Sequence, residues 1–293
     1  MSNVLFRVGP FHITLLGVFS LLGVMAGLVI LRHETRRKGI PEETVYNTAL
    51  VALLSAVVGA RLYFAIVFAE SGLLERARLF LAFNQGGLSI QGALIGGVLG
   101  AAVYLRRRSP GFWKMADAAA PAIILGQAIG RIGCDVFGVV ASERVWWAVP
   151  VAGRMLHPVQ IYESMLNYLL FLLLWYLRGR TRREGELFLV YIIAFGFNRF
   201  VVEFFRVNPT ALGSLSVAHV TAIGMTAAAF TGLVIRRRMY RTRPVSTGIK
   251  EATNFDVEHR SRRPRSTRRD TVPYIVVPLL MVGSILTYYG IYT

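Results

Sequence analysis

The chain has 293 residues, 54% of them hydrophobic and only 17% charged, with a mean hydropathy of +0.51. A soluble domain keeps about a quarter of its residues charged, so a conventional water-facing globule is excluded and most of this chain is expected inside a membrane. A formal charge of +17 would suggest nucleic acid as the partner of a soluble protein. Here the placement of the basic residues accounts for it, and no nucleic-acid partner is expected.

Eight apolar spans follow one another, roughly 12–31, 45–68, 87–105, 117–136, 159–177, 187–206, 215–235 and 272–292. Each is near the ~20 residues that cross the hydrocarbon layer. The connections 32–43, 106–114 and 178–186 carry four Arg/Lys each and 236–270 carries twelve, together 24 of the chain's 33 basic residues on one side. The positive-inside rule places that side in the cytoplasm, which leaves both termini outside. The expectation is an all-α polytopic membrane protein. Residues 1–238 form the membrane-embedded domain, 239–271 a basic, disordered cytoplasmic linker, and 272–293 an appended C-terminal transmembrane helix.

The first span is read as a membrane helix, because its cluster Arg32, Arg36, Arg37, Lys38 follows the apolar run where a cleaved signal peptide has it in front. Small residues at helical spacing (Gly23 and Gly27, then Gly92, Gly96 and Gly100, then Gly126 and Gly130) predict close helix packing. Residues 69–86, with Glu70, Glu75, Arg76 and Arg78, suit a short interfacial helix. The turn Asn84-Gln85-Gly86-Gly87-Leu88-Ser89-Ile90-Gln91-Gly92 enters the third span, where Gln91 must find a polar partner as interhelical glue or as part of a site. Span four contains Asp117 and ends on Gly130-Arg131-Ile132-Gly133-Cys134. A guanidinium at membrane depth costs about 3 kcal/mol or more, and flanking glycines let a backbone or a lipid headgroup approach it. Cys134 is the sole cysteine, which excludes an internal disulfide and a cysteine metal site. No metal or cofactor is expected.

Residues 137–157, with Trp146-Trp147 and a turn at Ala152-Gly153, read as a small extended arm at headgroup level. Span five opens Leu156-His157-Pro158-Val159-Gln160-Ile161-Tyr162-Glu163, with Gln160, Glu163 and Asn167 on one helix face; capping with interhelical hydrogen bonds and a role in a site both fit. In Asn198 to Arg206, offsets of four and seven align Arg199, Glu203 and Arg206. An internal ion pair between Glu203 and Arg199 is one reading. Yet Arg61, Arg131, Arg199 and Arg206 exceed the carboxylates available, and an external anion would settle the excess, a phosphodiester above all because the guanidinium fork holds two oxygens.

These segments together resemble the prolipoprotein diacylglyceryl transferases, over roughly residues 9–235. The matching stretches are Gly86 to Gly92, Gly130-Arg131-Ile132-Gly133, His157 to Glu163 and Arg199 to Arg206. The resemblance implies a seven-helix enzyme of the bacterial cytoplasmic membrane, here with one extra helix. Such an enzyme moves the diacylglyceryl group of phosphatidylglycerol onto the lipobox cysteine thiol of a preprolipoprotein, with membrane lipids around it. It implies that Arg131 binds phosphatidylglycerol, that Arg199 is a second essential arginine and that Glu203 orients it. Gln91 joins the catalytic set, and Gly87, Ser89, Gly130, Gly133, His157, Gln160 and Glu163 line the substrate site. The chain departs from the pattern at Leu16 (family Tyr), Gln91 (His or Tyr), Cys134 (Asn), Val139 (Glu) and His219 (Gln). A neutral amide at Gln91 cannot take a proton. Deprotonation of the thiol is thereby left to His157, Glu163 or Glu203, or to a thiolate held by the local positive field. A catalytically degenerate relative and an anion- or lipid-binding scaffold or transporter are the competing readings.

Overall fold

The structure, a computed structural model, describes residues 4–8, 11–68, 72, 78, 80–81, 89–108, 110–142, 145–181, 183–208, 210–212, 215–241 and 268–292. Gly87 lies outside these residues, as do most of the interfacial helix expected over 69–86 and of the linker expected over 239–271. Among the described residues, each of the eight apolar spans holds one α-helix: α1 (Leu15–Arg37), α2 (Glu42–Phe68), α3 (Ile90–Leu105), α4 (Phe112–Gly130), α5 (Val159–Leu177), α6 (Glu186–Glu203), α7 (Val217–Arg241) and α8 (Arg268–Tyr292). Among the described residues there are three antiparallel hairpins: β1 (Val4–Val8) with β2 (Phe11–Thr14) ahead of α1, β3 (Val149–Val151) with β4 (Arg154–Leu156) between α4 and α5, and β5 (Thr210–Leu212) with β6 (Leu215–Ser216) between α6 and α7. The first span therefore opens at Leu15 and not at residue 12, because Thr14 ends β2 and its Oγ1 accepts the Gly17 N–H at 3.1 Å, capping α1.

The helices fall into two compact units, residues 31–119 and residues 1–30 with 120–293. In the first, α1 stops at a left-handed Gly39 (φ +64°), with the Ile40 N–H bonded to Thr35 O at 2.9 Å and the Gly39 N–H to Arg36 O at 3.1 Å. That bond pair satisfies the last carbonyls of the helix and turns Ile40 inward onto Leu105, Met115 and Ala118. Helices α2 and α3 meet backbone to backbone through glycines: a Cβ on Gly59 would stand 2.8 Å from Gly96 Cα. Ser89 caps α3, accepting the Gly92 N–H at 3.4 Å, while its own N–H bonds Ala60 O at 3.2 Å. Arg61 is buried with its Nε donating to Phe80 O at 3.2 Å and its guanidinium beside the Phe64 ring; Asp117 lies 3.8 Å from Lys38.

The second unit is built around α4, α5 and α6. Ala120, Ile124, Leu125, Ala128 and Ile129 of α4 pack on Tyr168, Phe171, Leu174 and Trp175 of α5 and on Leu187 and Tyr191 of α6. Steps of three and four place each set on one helix face. The N-terminal turns of α1 lie on α4 through Gly23, Gly27 and Gly126; a Cβ on Gly126 would be 3.0 Å from Gly23 O. Helix α8 packs into this unit. Its buried positions Pro273, Val277, Ser284 and Tyr288 form a single stripe, Val277 enters the core, and Ser284 Oγ lies 3.1 Å from Tyr168 OH.

Four helices (α1, α2, α7 and α8) are long and apolar enough to cross a membrane by length and composition, and α3 contains a shorter apolar helix, Ile95–Leu105. Helices α4 to α6 carry Asp117, Gln127, Gln160, Glu163, Asn167, Arg199 and Glu203 within their lengths. Large apolar side chains such as Val29, Leu53 and Leu286 are mostly exposed, more than a water-facing surface tolerates. The chain is an all-α polytopic membrane protein.

Candidate active site

Arg131 opens a single 3₁₀ turn, Arg131–Gly133, that continues α4. Gly133 permits this turn to press on α1: a Cβ there would stand 2.6 Å from Leu15 O and 2.9 Å from Leu16 Cα. At Gly130 the nearest such atom is Ser20 Cα, 3.9 Å away. Of the two glycines flanking Arg131, Gly133 therefore serves backbone packing. Cys134 tucks its Sγ 3.7 Å from Gly130 O, with Arg131 Nη1 3.9 Å away.

The turn aims Arg131 at α5. Its Nη2 reaches Glu163 Oε1 at 2.8 Å, and the Glu163 side chain is 5% exposed. Two further guanidinium groups converge on the other carboxylate oxygen, Arg199 Nη1 at 3.9 Å and Arg206 Nη1 at 3.7 Å from Glu163 Oε2. Arg199 and Glu203 share a face of α6, Nη2 to Oε2 at 3.4 Å. Past the end of α6 the chain turns, with the Arg206 N–H bonded to Glu203 O at 3.1 Å, which returns Arg206 Nε to 3.8 Å from Glu203 Oε2. Three cations thus face two carboxylates. Four of the five contacts exceed 3.3 Å, and Arg199 Nη1, Arg206 Nη1, Glu163 Oε2 and Glu203 Oε2 are buried without a hydrogen-bond partner among the described residues. Interiors seldom leave such atoms unmatched, and an anionic ligand with several oxygens would accept from the two guanidinium nitrogens.

The sequence singles out Glu203 as the balancing carboxylate; in the structure Glu163 touches all three arginines. Glu203 is held from behind, its Oε1 accepting from Asn208 Nδ2 at 2.5 Å and Ser216 Oγ at 2.6 Å. Ser216 also caps α7, its Oγ accepting the His219 N–H at 3.3 Å, while Nδ1 of His219 accepts the Ser216 N–H at 3.2 Å. This supporting layer was missed in the sequence. A Ser three residues ahead of His219 at a helix start was its one local signal.

The α5 motif is divided between two tasks. His157 Nδ1 lies 2.9 Å from Tyr162 OH, which accepts from Trp147 Nε1 at 2.6 Å, and the His157 backbone pairs with Val139 and Gly138. His157 therefore ties the arm of residues 137–157 to α5. That arm is extended as expected: β3 and β4 pair across a turn at Ala152 (φ 50°) and Gly153 (φ 77°). Gln160 and Asn167 are both 1% exposed; Gln160 Nε2 donates to Tyr288 OH at 2.6 Å, while Gln160 Oε1 and both polar atoms of Asn167 lack partners among the described residues. Ser89 and Gln91 belong to the other unit, Ser89 as the α3 cap and Gln91 in its first turn, where its side chain is not among the described ones.

Comparison with known proteins bears on this cluster. The family model described as prolipoprotein diacylglyceryl transferase matches residues 3–235. Curated relatives named phosphatidylglycerol--prolipoprotein diacylglyceryl transferase include those of Bacillus cereus (strain B4264) and Bacillus thuringiensis subsp. konkukian (strain 97-27). Each is 34% identical over 253 residues, covering 82% of this chain and 93% of the relative. Arg131, Glu163, Arg199, Glu203 and Arg206 all lie within the matched residues. An arginine-rich cluster inside a polytopic helical fold and a match over most of the chain agree: this protein belongs to the prolipoprotein diacylglyceryl transferase family.

Proposed function

We propose that the chain transfers the diacylglyceryl group of phosphatidylglycerol to the lipobox cysteine thiol of preprolipoproteins, the first step of bacterial lipoprotein maturation. The observation that carries this reading is the cluster of three arginines on two carboxylates, with buried guanidinium nitrogens free to take phosphate oxygens. In the reaction, thiolate sulfur attacks the glyceryl carbon bonded to the phosphate oxygen. The C–S bond forms as the C–O bond breaks, the electron pair stays on glycerol phosphate, and the thiol proton balances the released anion. Arg131 and Arg199 grip the phosphodiester and meet the charge that grows on it, already oriented before the bond breaks. Arg206 adds a third cation, while Glu163 and Glu203 keep the guanidinium groups in place. The nucleophile comes with the substrate, so Cys134 packs and does not react.

The setting we infer is the cytoplasmic membrane, with the N-terminus outside, the basic connections in the cytoplasm, residues 1–238 as the transferase domain, 239–271 as a linker and 272–293 as a further membrane helix. Purified protein mixed with phosphatidylglycerol and a lipobox peptide should yield the thioether peptide and free glycerol phosphate, read by mass spectrometry. Arg131→Ala should lower that yield by more than roughly a hundredfold while remaining inserted and folded. Undiminished turnover by Arg131→Ala would refute the assignment of this cluster; a wild-type protein that binds the lipid but makes neither product is a scaffold.

A further inference from the structure

The family match ends at residue 235, before α8 begins, yet α8 is bonded to the motif that carries Glu163. Tyr288 is fully buried, and its hydroxyl accepts from Gln160 Nε2 at 2.6 Å. Its neighbour Tyr289 donates to Trp147 O at 2.5 Å, and Trp147 in turn donates to Tyr162 of α5. Tyr288 also packs with Val149 and Ile161, so one end of α8 grips both the arm of residues 137–157 and the first turns of α5. Gln160 precedes Glu163 by three residues, neighbours on one helix face. With its amide nitrogen committed to Tyr288, Gln160 holds Oε1 as an acceptor that no described residue satisfies.

We propose that α8 is a working part of the site: through Tyr288 it holds the Gln160 amide so that Oε1 accepts a hydroxyl of the donor headgroup whose phosphate the arginines grip. Tyr288 is a positioning residue and Gln160 the group it positions. The arrangement suits a headgroup that pairs an anion with a nearby hydroxyl, as glycerol phosphate esters do. This rests on phosphatidylglycerol being the donor, and it adds to that reading a determinant from outside the family-matching region.

The test uses the full chain in nanodiscs of phosphatidylethanolamine with increasing phosphatidylglycerol, reading the midpoint of lipid-dependent thermal stabilisation, which needs no turnover. Tyr288→Phe keeps the ring and its packing but removes the acceptor, and it should raise the phosphatidylglycerol midpoint roughly fivefold to tenfold. Gln160→Ala should do the same, and the double variant should be no worse than Gln160→Ala alone, since the two groups act as one. Ser284→Ala, which removes a different α8 hydrogen bond, should leave the midpoint at its wild-type value. In the transfer assay the Tyr288→Phe defect should fall on KM for the lipid with kcat nearly unchanged. A wild-type midpoint in Tyr288→Phe, an additive double variant, or an equal shift from Ser284→Ala overturns the proposal. Failure of the wild type to release glycerol phosphate refutes the transferase reading instead and leaves the binding comparison decisive for α8.

Discussion

Glu163 is the residue on which the charge arrangement turns. Removing its charge by Glu163→Gln takes away the carboxylate that touches all three guanidinium groups and leaves Glu203, whose contacts among the described residues are with Arg199 and Arg206; the Glu163 side chain is 5% exposed and its partners are 17–31% exposed. The loss of a mostly buried counter-ion should cost up to about 3 kcal/mol of stability. An anionic headgroup that binds the uncompensated arginines returns part of that by mass action. The expected outcome is a lowered thermal midpoint in phosphatidylethanolamine nanodiscs, and a larger upward shift on adding phosphatidylglycerol than the wild type shows. Equal shifts in both proteins would mean that the arginines do not share one lipid anion. The arginines and Glu203 were legible in the sequence because ionisable groups stand out against an apolar span. The central position of Glu163 was not, since it depends on the ends of α4 and α6 both reaching α5. Asn208 and Ser216 carried no membrane-depth signal and were invisible for that reason.

Among the elements, the contrast between two glycines three residues apart is a direct test of packing. Gly133→Ala would drive a methyl to 2.6 Å from Leu15 O, where backbone must move, whereas Gly130→Ala meets nothing nearer than 3.9 Å. Overpacking of this kind typically costs about 1–3 kcal/mol. Gly133→Ala should therefore lower the thermal midpoint by several degrees, and Gly130→Ala should leave it within error; the reverse order would show that α1 does not rest on the 3₁₀ turn. The eight spans could be placed from hydropathy because hydrocarbon demands a long apolar run whatever the tertiary contacts. The hairpins were less legible: most of β2 was absorbed into the first span because it runs without a break into the apolar helix that follows. The turn at Ala152-Gly153 was visible, as the left-handed backbone there favours glycine.

For the whole molecule, the charge asymmetry makes a topological prediction. In a Cys134→Ser background, Met155→Cys on the arm should react with an impermeant maleimide added outside the cell. Gly179→Cys in the basic connection after α5 should react only after permeabilisation. Labelling in the opposite order would invert the orientation inferred from 24 of 33 basic residues lying on one side. Membrane residence, the eight apolar spans that hold helices among the described residues, and an excess of arginine within them followed from composition and order along the chain, because the transfer cost of each segment and of each guanidinium is set locally. Which carboxylate those arginines share, the docking of α8 onto α5, and the bond from Tyr288 to Gln160 were decided only by folding. Each is a contact between groups far apart in the chain, 128 residues for the last, and no local periodicity encodes which faces of two apolar helices will meet.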